Sequence, residues 1–390
     1  MRGLFFHLRC WLASCRTSRA AANRFRLRPG FEVLEDRRVP TVGPPFLVNT
    51  FNTGDQITSD NASNAAGQSV AVWVRSIDSN ASQLQVQRFD AHGSKIGAEI
   101  DVATSGQSKA NPAASLDRLG NFVVVWDESS GPSGSQREVK GARFSADGLS
   151  LGSFAIATSA KDEFHPEVGM AANGDFAVSF QNHYQSQATG SWATYGDAFV
   201  ALYRANGTRQ TTLTVSGSTA NRYVNDQSLA RTPDGRFIVA YSYTRAAVNS
   251  EQDRGDVIVV RYTAAGSRLG VHYPVALSSL GHFRVQCSMD DFGNGVVAYD
   301  NYVYVGGMAS GLFGRGVRAF RIDASGYTHS PLLIDDQGIL HDVTVNRDGG
   351  VYAVSWGNQA DYSAAATFNT FITYISASDN KVSSDNLGGT

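Results

Sequence analysis

The chain has 390 residues, of which 42% are apolar and 17% charged, with 39 glycines; that is enough apolar material for a buried core and too much for a disordered segment. Its 33 basic and 35 acidic residues conceal a split, because Met1–Pro40 holds nine Arg against three acids and the remainder carries a net charge of −8. An acidic body argues against a nucleic-acid partner, and no apolar run approaches the roughly 18 residues of a membrane-spanning helix.

Residues 1–40 read as a targeting segment. The apolar patches Leu4-Phe5-Phe6 and Trp11-Leu12-Ala13 are separated by Arg9, which makes a poor secretory apolar region. The stretch RLRPGFEVLEDRRVPT, Arg26 to Thr41, resembles the "LEPR/LEDR…P" segment of large bacterial exported and surface proteins, with Asp36 where Pro is commoner. That resemblance implies export to the periplasm, cell surface or medium, with removal near Pro40–Thr41. Cys10 and Cys15 fall within this segment and leave Cys287 alone, so the body has no disulfide framework. Cys287 sits in an apolar run that predicts a buried strand.

Beyond residue 40 the chain repeats. A turn glycine is followed six residues later by an aromatic: Gly67 and Trp73, Gly120 and Trp126, Gly174 and Phe180, Gly235 and Tyr241, Gly293 and Tyr299, Gly350 and Trp356. Apolar residues alternate between them, which predicts a strand ending on the aromatic. A second signature follows, with Arg-aromatic and then a turn glycine, as in VQRFDAHG, GARFSADG and VVRYTAAG. Each repeat then reads as four short strands with glycine turns after the first and third.

Four-stranded units in tandem predict an all-β, six-bladed β-propeller of four antiparallel strands per blade. The polar tail 381–390 reads as flexible, which leaves the sixth blade one strand short. Phe46-Leu47-Val48-Asn49-Thr50 resembles the fourth strands, so an N-terminal strand is expected to close the ring. The domain reading is a 1–40 leader, a single propeller over 41–380, and a tail.

The second-to-third strand connections account for most of the variation in repeat length, and variable loops on a constant scaffold are where binding is usually housed. They carry His183, Tyr184, Trp192 and Tyr195 in the third repeat and Tyr243, Arg245 and Asp253 in the fourth. The fifth adds Asp300, Tyr302 and Tyr304. Such side chains suit a glycan or protein surface, or else cap the blade ends.

The first strands start on the same face. Nine residues before each glycine stand Thr58, Asn111, His165, Asp226, Arg284 and His341, all polar and expected to ring a channel mouth. Two His and an Asp could bind a divalent metal, and His, Asp and Arg could hold an anion; no cofactor is otherwise implied.

Ser115-Leu116-Asp117…Gly120-Asn121-Phe122…Trp126 is similar to the Asp-box of sialidases, which are six-bladed. A sialidase site would add three Arg, for which Arg75, Arg245 and Arg284 are candidates. Glu128, Glu163 and Glu167 are candidate glycosidase carboxylates. Units such as GNFVVVW resemble the "DGdFVVVW" repeats of large bacterial secreted proteins, over about residues 46–376. That resemblance implies an exported, non-catalytic binding or structural module, and the chain is expected to be a monomer; the alternative is a glycan-active hydrolase with its site at the channel mouth.

Overall fold

The structure, a computed structural model, describes residues 46–50, 54–78, 81–104, 107–130, 136–186, 193–217, 222–245, 254–278, 281–304, 312–336, 338–359 and 368–389. The 1–40 leader, Trp192 and Asp253 lie outside them. Among the described residues 24 strands form six consecutive four-stranded units. The first unit is β1 (Gln56–Ser63), β2 (Ser69–Ser76), β3 (Ser82–Phe89) and β4 (Lys95–Ala103); the second is β5 (Lys109–Leu116), β6 (Phe122–Ser130), β7 (Gln136–Phe144) and β8 (Ser150–Ala157). The third comprises β9 (Asp162–Met170), β10 (Phe176–Ser186), β11 (Ala193–Tyr203) and β12 (Arg209–Thr214); the fourth, β13 (Arg222–Arg231), β14 (Phe237–Arg245), β15 (Arg254–Tyr262) and β16 (Arg268–Ser278). The fifth holds β17 (Gly281–Met289), β18 (Gly295–Tyr304), β19 (Leu312–Ile322) and β20 (Leu332–Asp335); the sixth, β21 (Ile339–Val345), β22 (Val351–Gln359), β23 (Phe368–Ser376) and β24 (Lys381–Gly389).

Strands pair antiparallel in chain order within each unit, and the third and fourth units share one sheet through a short parallel pairing of β11 with β13. Local chemistry explains the turns after each first strand. The side chain of Asp117 accepts from the backbone N–H of Leu119 and Asn121, and Asp290 does the same for Phe292 and Asn294. Gly120 and Gly293 then take φ of 88° and 94°, a region that suits a residue without Cβ. The Asp-box likeness at Asp117 is therefore turn chemistry. In the sixth unit the turn glycine is Gly349, at φ 71°, one residue earlier than the spacing selected.

The aromatic column explains the packing. Trp126 and Phe122 of the second unit pack on Val70, Val72 and Val74 of the first, and Phe176, Val178 and Phe180 of the third pack on Val123 and Val125. Tyr241 meets Ala177, Tyr299 meets Ile238 and Ala240, and Trp356 meets Val296 and Ala298 in the same way. Five apolar layers thus join consecutive units. The repeated Arg adds a polar staple on the outer side: Arg88 donates to the Ala146 carbonyl (2.6 Å), Arg143 to Ala205 (2.7 Å), Arg261 to Ala324, and Arg321 to the Asp379 carboxylate (2.7 and 2.9 Å). Each reaches from one unit into the next. Cys287 is buried, and burial pushes its thiol up to about 12, so it packs as an apolar group.

Two expectations about the chain ends are corrected. Residues 381–389 are not a tail: β24 pairs with β23 and supplies the sixth unit's fourth strand. Residues 46–50 form no strand, and Asn49 lies beside β4, where Lys95 Nζ donates to its carbonyl (3.4 Å). An outermost strand is solvated on its free edge and is held by backbone pairing. Ser, Asp and Asn are therefore tolerated there, and the apolar signal disappears.

Phe176→Ala, in the layer between the second and third units, is expected to cost about 3–5 kcal/mol. Ser355→Ala, at the equivalent of a layer position in the sixth unit, is expected to stay within about 0.5 kcal/mol. Urea unfolding midpoints measure both, and equal losses would contradict the layered packing.

Candidate functional site

The six first strands, β1, β5, β9, β13, β17 and β21, line one cavity of about 1320 Å³. Thr58, Asn111, His165, Asp226, Arg284 and His341 all reach it, so the column chosen by spacing shares one space. The backbone shows why. Every first strand breaks register at this level, between Ile57 and Ser59, Ala110 and Ala113, Phe164 and Glu167, Val224 and Asp226, His282 and Val285, and Leu340 and Asp342. These are β-bulges, which re-aim a side chain at the cost of ladder bonds. Thr58, Asn111 and His165 sit in the left-handed region at φ 39°, 47° and 49°. Non-glycine residues adopt that conformation only when their surroundings fix it. Pro112 and Pro166, following two of them, lack the N–H that a bulge would leave unpaired.

Of the groups fixing the bulges, the sequence pointed only to Asp300, and as a loop residue rather than a bulge partner. Asp127, fully buried, accepts from Asn111 Nδ2 (2.7 Å) and from the backbone N–H of His165 (3.1 Å), and pairs with Arg137. Asp300 accepts from the Arg284 N–H (2.9 Å), and Gln181 Nε2 donates to His165 Nδ1 (3.1 Å). All three immediately follow the aromatic of their repeat, and a polar residue within a buried strand was the available signal. The Gln181 contact places the His165 ring proton on Nε2.

Acid–base character concentrates here. Asp226 Oδ1 lies 3.9 Å from His165 Nδ1, and its Oδ2 accepts from the Val285 N–H (3.0 Å). Burial, with the Asp300 charge adding to it, raises the Asp226 carboxyl to about 7 against the pull of backbone donors and Arg284. Burial also keeps His165 and His341 below the usual histidine value, and Arg284 acts on both in the same direction. Arg284 is exposed, with Nη1 on the Leu340 carbonyl (3.1 Å).

Deeper along the same strands is a set of carboxyls that the sequence reading touched only at Glu167. Asp60, Glu167 and Asp342 line the cavity. Burial raises Asp60 to about 6 and Glu167 well above its usual range, with Asp60, Asp226 and Asp342 adding repulsion at Glu167. Asp342 is raised by burial as well. Glu128 and Glu163 do not join them: Glu128 binds Lys140 (2.5 Å) and Trp126 Nε1 (3.0 Å), and Glu163 accepts from Ser159. Among the described residues no three His, Cys, Asp or Glu side chains are grouped to hold a metal ion.

The loop residues are distributed differently from expectation. His183, Tyr184 and Tyr195 belong to the long paired strands β10 and β11, with Tyr184 opposite Tyr195. The extra length of this connection is therefore partly strand. His183 bonds the Val224 carbonyl (2.7 Å), and the Lys161 ammonium sits 3.9 Å from the Tyr184 ring centre. Tyr243 is buried, with its hydroxyl on the Gly217 carbonyl (2.7 Å), and is a core residue. Tyr302 and Tyr304 lie in β18, and their side chains, like that of Tyr195, fall outside the described set. Of the described side chains among them, those of His183, Tyr184 and Tyr243 do not line the channel cavity.

No family model matches the chain, and no curated protein matches it. Solved structures do. A protein of unknown function from Dyadobacter fermentans is 10% identical, with 81% of this chain and 94% of that one covered at a TM-score of 0.53. An ulvan lyase of a polysaccharide lyase family, bound to a GlcA(1-4)Rha3S repeat, is 10% identical over 84% and 82% of the two chains, at 0.51. The α-L-arabinofuranosidase of Fusarium graminearum in complex with arabinobiose is 9% identical over 83% and 93%, at 0.50. At such identities the likeness is one of fold, an all-β propeller architecture. The expectation of a non-catalytic binding or structural module is corrected at this point. It rested on the lack of a catalytic motif, whereas this fold is worn by glycan-cleaving enzymes and the channel here gathers acid–base groups from several repeats.

The raised carboxyls set a pH dependence of stability. Asp60 titrates near 6 in the folded chain and near 4 when unfolded, so its cost is absent below about pH 4 and complete above about pH 6. Asp60→Asn is therefore expected to raise the melting temperature at pH 8 relative to the parent, with that gain shrinking toward pH 4. Thermal melts across this range check it, and a gain that grows on acidification would contradict the assignment.

Proposed function

We propose that the chain is a glycan-active hydrolase, its six units forming the blades of one propeller and its site lying at the mouth of the central channel. The reading rests on one observation: Asp226, Glu167, Asp60 and Asp342, from four separate first strands, share a cavity with His165 and Arg284. Glycoside hydrolysis needs one carboxyl that holds its proton and another that has lost it. Asp226, raised to about 7, gives its proton to the glycosidic oxygen as the C–O bond breaks. Asp342, which lines the same cavity, takes a proton from the attacking water when ionised, and the water oxygen forms the new bond. Arg284 and the neutral His165 and His341 at the rim orient sugar hydroxyls or an acidic substituent. The basic leader supports delivery outside the cytoplasm, where polysaccharides are met, and the protein acts as a monomer.

One observation favours a lyase as the second reading. A neutral imidazole beside a guanidinium, as at His165 and Arg284, suits proton removal next to a uronate carboxylate. Unsaturated sugar ends, detected by ultraviolet absorbance, would mark that outcome, whereas hydrolysis yields saturated ends.

Turnover of linear arabinan, ulvan and aryl glycosides, followed by release of reducing ends, tests the proposal. Asp226→Asn is expected to lower kcat by about 10²–10⁴-fold, with His165→Ala also impaired. The parent activity should fall as pH rises through about 7, where Asp226 loses its proton. Unchanged turnover in Asp226→Asn would overturn the assignment.

A further inference from the structure

A second concavity, of about 240 Å³, lies between the third and fourth units and shares no residue with the channel cavity. Strand lengths account for its place. β12 ends the third unit's sheet after six residues, whereas β16, its counterpart in the fourth, runs for eleven. Past Thr214 the segment Val215-Ser216-Gly217 forms one wall, and Tyr241 and Tyr243 of β14 with Arg268 and Tyr273 of β16 face it. The segment is held from both sides. Ser216 Oγ accepts from the Ala198 N–H (2.9 Å), the Val215 carbonyl from Arg268 Nη2 (3.1 Å), and the Gly217 carbonyl from the Tyr243 hydroxyl (2.7 Å). The pocket is therefore pre-formed.

Its polar groups are only partly engaged. The Tyr241 and Tyr243 rings stand 5.9 Å apart, and among the described residues no hydrogen bond reaches the Tyr241 hydroxyl. Burial pushes that phenol up, with the Tyr243 and Tyr273 phenols adding to it and the Arg268 charge opposing, so all four groups act on one space. Tyr273 is 65% exposed. Arg268 is exposed too and pairs with no carboxylate among the described residues. We propose that this pocket binds one uronate residue of an acidic glycan, as a site separate from the channel.

Each part of a uronate finds a counterpart. A guanidinium matches the two oxygens of a carboxylate. The Tyr241 hydroxyl needs a partner, which a sugar hydroxyl supplies and an aromatic acid's ring would not. Tyr273 offers a ring face to sugar C–H groups. The volume is below the roughly 300–1,000 Å³ of sites for larger ligands and suits a single ring. On a body of net charge −8, an Arg without a carboxylate partner is also a local attractor for an anion that most of the surface repels.

The test titrates the full chain with glucuronate, glucose and 4-hydroxybenzoate, followed by ligand-observed NMR. Glucuronate is expected to bind, and glucose about tenfold more weakly. Arg268→Ala should weaken glucuronate about tenfold or more, and Tyr273→Ala, which keeps the cation, about threefold. Arg284→Ala, at the channel mouth, should leave it unchanged. Binding lost in Arg284→Ala but kept in Arg268→Ala would overturn the pocket by assigning the acid to the channel. Tighter binding of 4-hydroxybenzoate than of glucuronate would overturn the sugar, and no binding of glucuronate by the parent would overturn the proposal outright. If Arg268→Ala does not fold, Tyr273→Ala decides. Neither free sugar has a glycosidic bond to cleave, so failure here leaves the hydrolase reading standing, and failure of turnover leaves this binding standing.

Discussion

A first strand that faces a shared cavity has no partner on its inner edge, and its N–H groups must find acceptors elsewhere. The preceding unit supplies them from side chains. Asp60 accepts from Ala114, Ser115 from Met170, Asp127 from His165, Asp226 from Val285, Ser228 from Cys287 and Ser288 from Val345, at 2.8–3.2 Å. This requirement explains why the column is small and polar. It also explains why carboxyls line the shared cavity of a protein with few charges. Asp60 and Asp226 tie neighbouring units together with the same groups that give the cavity its acidity.

Much of the fold was legible because its determinants repeat. The glycine-to-aromatic spacing exposed the second strands, and the Arg-aromatic signature exposed the third. The mouth column was legible because polar residues recur where strands begin. What escaped notice was whatever did not repeat or did not need apolar residues. β24 is held by its backbone, the lengthened β10 and β11 are polar enough to resemble a loop, and Asp127 acts through a contact with the next unit. Glu167 was found as a carboxylate, but only the fold could separate it from Glu128 and Glu163, whose charges are engaged elsewhere.

The electrostatics follow from crowding. Several carboxyls in one partly desolvated space cannot all ionise together, so their affinities for protons spread apart. Burial raises Asp226 to about 7 and Asp60 to about 6, and raises Glu167 and Asp342 as well. The histidines respond in the opposite sense, because burial and Arg284 disfavour the imidazolium. The same desolvation thus disfavours the charged form of acids and bases alike.

The five apolar layers also bear on how the molecule comes into being. Each joins segments roughly one repeat apart in the chain, so a unit emerging from the ribosome finds its partner already made, with only a short loop to close. Contact between the first and last units would instead span almost the whole body of the chain. The order of synthesis and the placement of the apolar layers agree.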